Sequence, residues 1–193
     1  FALYPTVDKK YFTFEELQEK IKDHQTDKDD KLVVLYASNL DAQHSYIEAA
    51  KEKGYEVLLL DSPIVSHLLQ KMESEKEHVS FVRVDSDAVE NLIKKEEETL
   101  SKLSDEEKES LKTTLEEVIP SEKFTVQLEA MDSNSSPFII TEPEFMRRMK
   151  EMQQTGGGGM FGMGNLPEMY NLVVNTNHEL VSEILNTKTQ KKK

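Results

Sequence analysis

The glycine-rich segment in the last quarter of the chain is the first candidate for binding chemistry. Gly159-Met-Phe-Gly162-Met-Gly164 loosely mimics the fingerprint that binds the pyrophosphate of dinucleotides. That fingerprint works because it follows a strand and opens a helix whose N-terminal amides face the ligand. Here a helical pattern precedes the glycines, Pro167 follows them, and Gly-Lys-Ser/Thr occurs nowhere in the sequence. The segment therefore predicts a mobile linker and no nucleotide site.

The histidines, carboxylates and serines form no pattern typical of catalysis or metal binding. The five histidines are His24, His44, His67, His78 and His178. They belong to different predicted elements and form neither a His-Glu-x-x-His helix nor a His-x-His pair, the spacings expected of a zinc site. Serine and histidine occur without the glycine frame of a nucleophile elbow. We predict no catalytic residue, no cofactor-binding residue and no metal ligand in this chain.

Methionine and phenylalanine are the side chains with the most informative distribution, because six of the eight methionines lie between Met146 and Met169. The first group shares one side of a predicted helix and comprises Phe145, Met146, Met149 and Met152. The second group follows four glycines and comprises Met160, Phe161 and Met163. A methionine stripe at helical spacing usually packs into a core, and that interpretation stays open for Met149 and Met152. Methionine is also over-used on surfaces that accept many shapes, which favours an exposed apolar surface for the second group.

The first half of the chain alternates helical and strand patterns. The predicted elements are helix 13–21, strand 32–36, helix 40–53, strand 55–60, helix 63–72 and strand 81–84. Thr13 and Glu16 form a capping box, and Gly54 stands at the position that ends a helix. The two strand segments at 32–36 and 55–60 are continuously apolar, the pattern of strands buried on both faces. This order predicts a small parallel α/β domain over residues 1–92.

The second half begins with a strongly charged stretch in which leucines recur at helical spacing. It predicts a charged helical linker over 93–103, followed by a helix that starts at Ser104-Asp-Glu-Glu107. The later predicted elements are strand 123–129, strand 137–140, a helix capped by Thr141, strand 170–174 and helix 179–185. The alternation of polar and apolar residues over 123–129 predicts a half-exposed antiparallel strand. We therefore predict an α+β C-terminal domain over 104–193, and α/β as the fold class of the chain.

Composition and charge argue against two classes of binding partner, nucleic acids and membranes. The chain has 37 acidic and 24 basic residues and a net charge of −13, which opposes binding to phosphate backbones. It has no cysteine, and no apolar run approaches the roughly 20 residues of a membrane helix. We expect neither nucleic acid nor membrane as a partner, and a cytoplasmic location. Both ends look cut, so we also expect a piece of a longer protein.

Five segments, in the same order along the chain, resemble the 90-kilodalton heat-shock chaperones, in particular their bacterial branch. Two resemble the closing part of the family's middle domain, namely Tyr11-Phe-Thr-Phe-Glu-Glu-Leu17 and Gly54-Tyr-Glu-Val-Leu-Leu-Leu-Asp-Ser-Pro-Ile64. Three resemble the C-terminal domain, namely Phe145-Met-Arg-Arg-Met-Lys-Glu-Met-Gln153, Met160-Phe-Gly-Met163 and Val174-Asn-Thr-Asn-His178. Each segment is only moderately specific. Their shared order over nearly all 193 residues is the stronger signal.

The resemblance implies a dimeric, ATP-driven chaperone whose ATPase site, with ATP and magnesium, lies in an N-terminal domain outside this chain. The chain itself is then no enzyme and binds no cofactor. The helices that form the homodimer are expected after the segment His178–Leu185, so this chain is expected to stop before them. The implied partners are unfolded or partly folded client proteins.

The resemblance also implies which residues contact clients. The main set is Phe145, Met146, Met149, Met152, Met160, Phe161 and Met163. A weaker set, in the middle-domain part, is Ser66, His67 and Gln70. At that patch the bacterial pattern often has an acid and a tryptophan, whereas this chain has Ser66 and His67.

Two other classes of function stay open on the residues alone. A small α/β enzyme would need converging polar groups at the strand ends, near Ala37–Asn39 or Asp61–Ser62. An assembly adaptor with a flexible Gly/Met loop is the second alternative.

Overall fold

The computed structural model describes residues 3–62, 64–93, 99–155 and 168–191. Helices and strands alternate along most of this chain. The elements are β1 (Tyr4–Pro5), β2 (Tyr11–Phe12), α1 (Phe14–Ile21), β3 (Leu32–Ala37), α2 (His44–Glu52), β4 (Val57–Leu59), α3 (Val65–Glu75), β5 (Val79–Arg83), α4 (Val89–Leu92), α5 (Asp105–Glu116), β6 (Phe124–Glu129), β7 (Phe138–Thr141), α6 (Glu144–Thr155), β8 (Tyr170–Asn175) and α7 (Glu179–Lys191). The predicted α/β class is confirmed. The sheet of the first part is parallel and that of the second part is mixed.

The chain divides into two compact units. The first comprises Phe1–Glu96 with Glu144–Gly164, and the second comprises Glu97–Pro143 with Asn165–Lys193. Helix α6 therefore belongs to the first unit, although the sequence places it inside the predicted domain 104–193. Its contacts with the first unit, described below, are the physical reason.

The first unit is built on a parallel three-stranded sheet in the order β4-β3-β5. All six residues of β3 are buried, as the continuous apolar run predicts. Side chains alternate along a strand, so successive β3 residues enter two different cores. Val34 and Tyr36 pack with helices α1 and α3. Val33 and Leu35 pack with α2 and α4.

The predicted start of α1 and the predicted end of α2 are confirmed. Thr13 and Glu16 form a reciprocal capping box at the start of α1. Gly54 has a φ of 78°, a left-handed backbone that glycine adopts without strain, and it follows the end of α2. The short antiparallel hairpin β1–β2 was not predicted from the sequence.

The second unit is built on a mixed sheet in the order β6-β8-β7. Helices α5 and α7 cover one face through a core that includes Leu111, Val126, Val174 and Val181. Strand β6 pairs with β8 in parallel, so the predicted antiparallel direction is wrong. Alternating polarity indicates only that one face of a strand is buried. The direction of pairing depends on the partner strand, and β8 lies more than 40 residues further along the chain.

Two local predictions for the second half of the chain need correction. Thr141 is the last residue of β7 and does not cap a helix, because it pairs with Asn171 of β8. In the predicted helical linker 93–103, residues 99–103 form no helix. The carboxamide of Asn177 accepts a hydrogen bond from the Lys102 amide at 2.7 Å and donates to the Leu100 carbonyl at 3.0 Å. These bonds occupy backbone groups that a helix would use.

Candidate functional site

Helix α6, which carries the first group of candidate residues, packs on the first unit through charged side chains. Arg147 is only 3 % exposed. Its guanidinium donates to the Tyr36 hydroxyl on β3, to Glu144 and, at 2.6 Å, to Glu151. Because a buried charge is costly unless it is paired, these partners are what permit an arginine to face the interior.

Arg148 provides a second ionic contact, between α6 and α3. Its guanidinium forms a two-pronged ion pair with Glu73, at 2.7 and 3.1 Å. The same group donates to the Phe81 carbonyl on β5 at 2.7 Å, and its Nε donates to Glu144 at 2.7 Å. Glu73 in turn accepts from the Phe81 amide at 2.7 Å. Arg148 thus binds both a helix and a strand edge of the first unit.

Glu151 completes the docked face one turn further along α6. Its carboxylate accepts a hydrogen bond from the Ser66 hydroxyl on α3 and lies 3.5 Å from an Arg83 nitrogen. Arg83 is also held by Asp85, at 2.5 and 3.0 Å. Residues of α3, β3 and β5 therefore all contribute to the surface that receives α6.

The charges of this cluster shift one another's pKa values. Burial opposes the charged form of Arg147, but Glu144, Tyr36 and Glu151 together raise its pKa above the ordinary value. Burial, reinforced by Glu144, raises the pKa of Tyr36. Burial also opposes ionisation of Glu151, yet the Ser66 hydroxyl and Arg147 lower its pKa overall. At neutral pH the cluster therefore holds charged arginines, a charged Glu151 and a neutral tyrosine.

Two of the three apolar side chains that the structure describes on α6 are exposed. Phe145 is 71 % exposed and Met149, one turn later, is 36 % exposed. Met146 is half-buried. The side chain of Met152, and the whole of Met160, Phe161 and Met163, lie outside the described residues. The structure therefore brings Phe145 and Met149 together on a face that the ion pairs leave exposed.

The weaker candidate set lies on α3, which packs against α6. His67 and Gln70 are exposed. Ser66 is only 4 % exposed and donates its hydroxyl hydrogen to Glu151. While α6 is docked, Ser66 thus has a partner inside the protein, and the surface of this patch consists of the other two side chains.

The charged face of α6 was not recognised from the sequence as a docking surface. A signal was present, since Glu144, Arg147, Arg148 and Glu151 follow the spacing that places residues on one face of a helix. Hydrophobic periodicity does not register such a face, because it scores charged residues as solvent-exposed. The partners Tyr36 and Glu73 lie too far away in sequence to be inferred from the helix itself.

The strand ends, where the alternative enzyme site was expected, carry an internal contact. The amides of Ser38 and Asn39, which follow β3, both donate to the side-chain oxygen of Gln43, at 2.8 and 2.9 Å. An anionic ligand at this edge would compete with that oxygen. The part of the chain that the structure describes contains no cluster of three or more His, Asp or Glu side chains able to hold a metal ion. No helix among those residues has the length and apolar character needed to cross a membrane.

Comparison with known proteins identifies the family. No protein-family model matches the chain. Chaperone protein htpG of Bacteroides fragilis is 47 % identical over 188 residues, which cover 96 % of this chain and 28 % of that protein. The chain belongs to the HtpG chaperone family. HtpG of Porphyromonas gingivalis is 40 % identical over 188 residues, covering 96 % of this chain and 27 % of that protein.

A more distant relative extends the similarity beyond HtpG proteins. The endoplasmin homologue of Dictyostelium discoideum is 25 % identical over 196 residues, covering 96 % of this chain and 24 % of that protein. The chain spans 27 to 28 % of the length of these HtpG relatives. The resemblance to the bacterial 90-kilodalton heat-shock chaperones is confirmed.

Proposed function

We propose that this chain is part of a molecular chaperone and contributes a surface that binds non-native client proteins. The family membership supports the chaperone assignment, since the HtpG relatives bear that name. The single structural observation that carries the client surface is the exposure of Phe145 and Met149 on α6. Large apolar side chains that neighbour each other at the surface are typical of sites that bind protein.

The mechanism is the removal of apolar client segments from water against side chains that can repack. Burial of apolar surface contributes about 0.8 kcal/mol per methylene group, so a few anchors are enough for weak and reversible binding. Methionine adapts to different shapes because it is unbranched and has three rotatable bonds. The charged face of α6 is held by Glu73 and Tyr36 and leaves the apolar face available.

The client surface is centred on Phe145 and Met149. Its proposed extensions along the chain are Met146, Met152, Met160, Phe161 and Met163. The weaker patch on α3 comprises Ser66, His67 and Gln70, of which Ser66 becomes accessible only when its contact with Glu151 is broken. Contact at the last patch is expected to be polar.

The longer protein is proposed to be an ATP-dependent, cytoplasmic homodimer that assists folding under stress. ATP and magnesium bind outside this chain, in an N-terminal ATPase domain. Neither nucleic acid nor membrane is a proposed partner of a surface with a net charge of −13.

The client surface is tested with the double substitution Phe145→Ser and Met149→Ser. Binding is measured by fluorescence anisotropy of labelled, reduced and carboxymethylated α-lactalbumin, which stays unfolded. We expect the dissociation constant to rise about tenfold, which corresponds to roughly 1.4 kcal/mol of lost apolar contact.

The matched control is Val118→Ser, since Val118 is 76 % exposed and belongs to the second unit. It is expected to bind the unfolded probe as the unchanged chain does. An unaltered dissociation constant for the double variant, with intact circular dichroism, would remove the proposed client surface. Equal weakening by the control would show that exposed apolar residues act without a defined site.

A further inference from the structure

The docked face of α6 has the opposite character from that of a core helix. Between Glu144 and Glu151, the one side chain that is buried is Arg147, and the apolar side chains of Phe145 and Met149 are exposed. The two apolar cores of the first unit contain residues of α1 to α4 and of the sheet, but none of these described α6 side chains. Among the described side chains of α6, the contacts that hold the helix are therefore ionic and polar.

These contacts reach three separate elements of the first unit. Arg148 binds Glu73 on α3 and the Phe81 carbonyl on β5. Arg147 binds Tyr36 on β3, and Glu151 binds Ser66 on α3. We call this set of contacts the clasp. Because the clasp joins α6 to α3, β3 and β5, complete release of α6 requires the contacts with all three elements to break.

The clasp is also incompletely satisfied. Among the described residues, Glu144 Oε2 and Arg147 Nε are buried and have no hydrogen-bond partner. Charges that leave water for such a site lose hydration that their ion pairs repay only in part. A contact of this kind favours docking by much less than an apolar core would, since the released charges recover full hydration.

We propose that the clasp docks α6 reversibly on the first unit, so that α6 detaches and re-attaches while α1 to α3 and the sheet stay folded. The segment Glu142–Pro143, which leads into α6, belongs to the second unit. The detached helix therefore remains tethered to the second unit and re-docks without a diffusive search. Release of α6 also frees the Ser66 hydroxyl on α3.

The clasp is tested by amide hydrogen exchange of the 193-residue chain, read by mass spectrometry. The variants are Glu73→Gln, Arg148→Met and their combination. Glu73→Gln removes the charge but keeps an oxygen for the Phe81 amide, and Arg148→Met keeps an apolar stem of similar length. In the unchanged chain we expect α6 amides to exchange at least about tenfold faster than α1 amides, because local opening needs less free energy than unfolding.

Each single substitution is expected to speed α6 exchange by about tenfold and to leave α1 unchanged. The double variant is expected to exchange no more than about threefold faster than either single one, since the two residues act as a pair. The matched control is Glu75→Gln on the same helix, where the ion pair with Lys71 is exposed at 3.7 Å. It is expected to leave α6 exchange unchanged.

Two results would overturn the clasp. One is an α6 exchange rate in Arg148→Met equal to that of the unchanged chain. The other is α6 and α1 amides that accelerate by the same factor, which would mean that the helix opens only with global unfolding. That the freed Ser66 hydroxyl becomes accessible to a client rests on the proposed function. The exchange experiment contains no client, so it tests the clasp even if the client surface fails its own test.

Discussion

The guanidinium of Arg147 is almost fully buried, although arginine is rarely buried without a partner. Its neighbours explain this position, because Tyr36, Glu144 and Glu151 surround it with acceptors. At the scale of single residues, the character of α6 therefore depends on charge pairing. The side chains of Phe145 and Met149 remain exposed.

The lowered pKa of Glu151 predicts how acid affects the docking of α6 on the first unit. Burial opposes ionisation of Glu151, but Ser66 and Arg147 lower its pKa below the ordinary value. A carboxylate whose pKa is lowered by folding stabilises the folded state above its unfolded pKa of about 4.3. That contribution is lost as the pH falls through the folded-state pKa. Acid should therefore weaken the docking of α6.

The measurement is urea unfolding of the unchanged chain and of Glu151→Gln, followed by circular dichroism from pH 7 to pH 3. At pH 7 we expect the variant to be less stable by about 1 kcal/mol, the typical net worth of a hydrogen-bonded contact. The difference should shrink as the pH falls below about 4.3, because the unchanged carboxyl then becomes protonated. A difference that stays constant over this range would contradict the role of the Glu151 charge.

At the scale of elements, α5 shows how strongly a local signal can define a helix start. Ser104 accepts from the Glu107 amide, and the Glu107 carboxylate accepts from the Ser104 amide at 2.9 Å. The Ser104 amide and then its hydroxyl lower the pKa of Glu107. The capping box satisfies amides that have no partner within the helix, and it needs no tertiary contact.

The substitution Ser104→Ala is expected to lower the free energy of unfolding by about 1 kcal/mol, the usual worth of a serine N-cap. Urea unfolding monitored by circular dichroism provides the measurement. Ser110→Ala, at an exposed position within the same helix, serves as the control and should be neutral or slightly stabilising. Equal losses in both variants would show that the cap contributes nothing specific.

At the scale of the whole molecule, the chain has separate cores in its two units. Leu69 is fully buried in a core of the first unit, and Leu111 is fully buried in the core of the second. Among the residues that the structure describes, none belongs to both cores. A cavity made in one core should therefore destabilise mainly the strands of the same unit.

Leu69→Ala and Leu111→Ala are each expected to destabilise their own unit by about 2–5 kcal/mol, the range for a buried leucine truncated to alanine. Amide exchange of β3 reports on the first unit and that of β8 on the second. We expect Leu69→Ala to accelerate β3 and Leu111→Ala to accelerate β8. Uniform acceleration of both strands by either substitution would instead indicate one cooperative unfolding unit.

The spacing of residues along each segment was sufficient to predict most elements. Capping boxes at Thr13 and Ser104, the buried run of β3 and the glycine after α2 all depend on neighbours within a few residues. The family could also be inferred from the sequence, because similarity is carried by the order of motifs. For the candidate site, the sequence indicated α6 and its apolar residues, but it did not indicate what holds the helix.

Only the tertiary structure decided the direction of β6, the docked face of α6 and the unit to which α6 belongs. The physical reason is the sequence separation of the partners. Arg148 meets Glu73 across 75 residues, and Arg147 meets Tyr36 across 111. Local periodicity describes which residues share a face. Which surface that face meets depends on side chains that the folded chain brings together from distant positions.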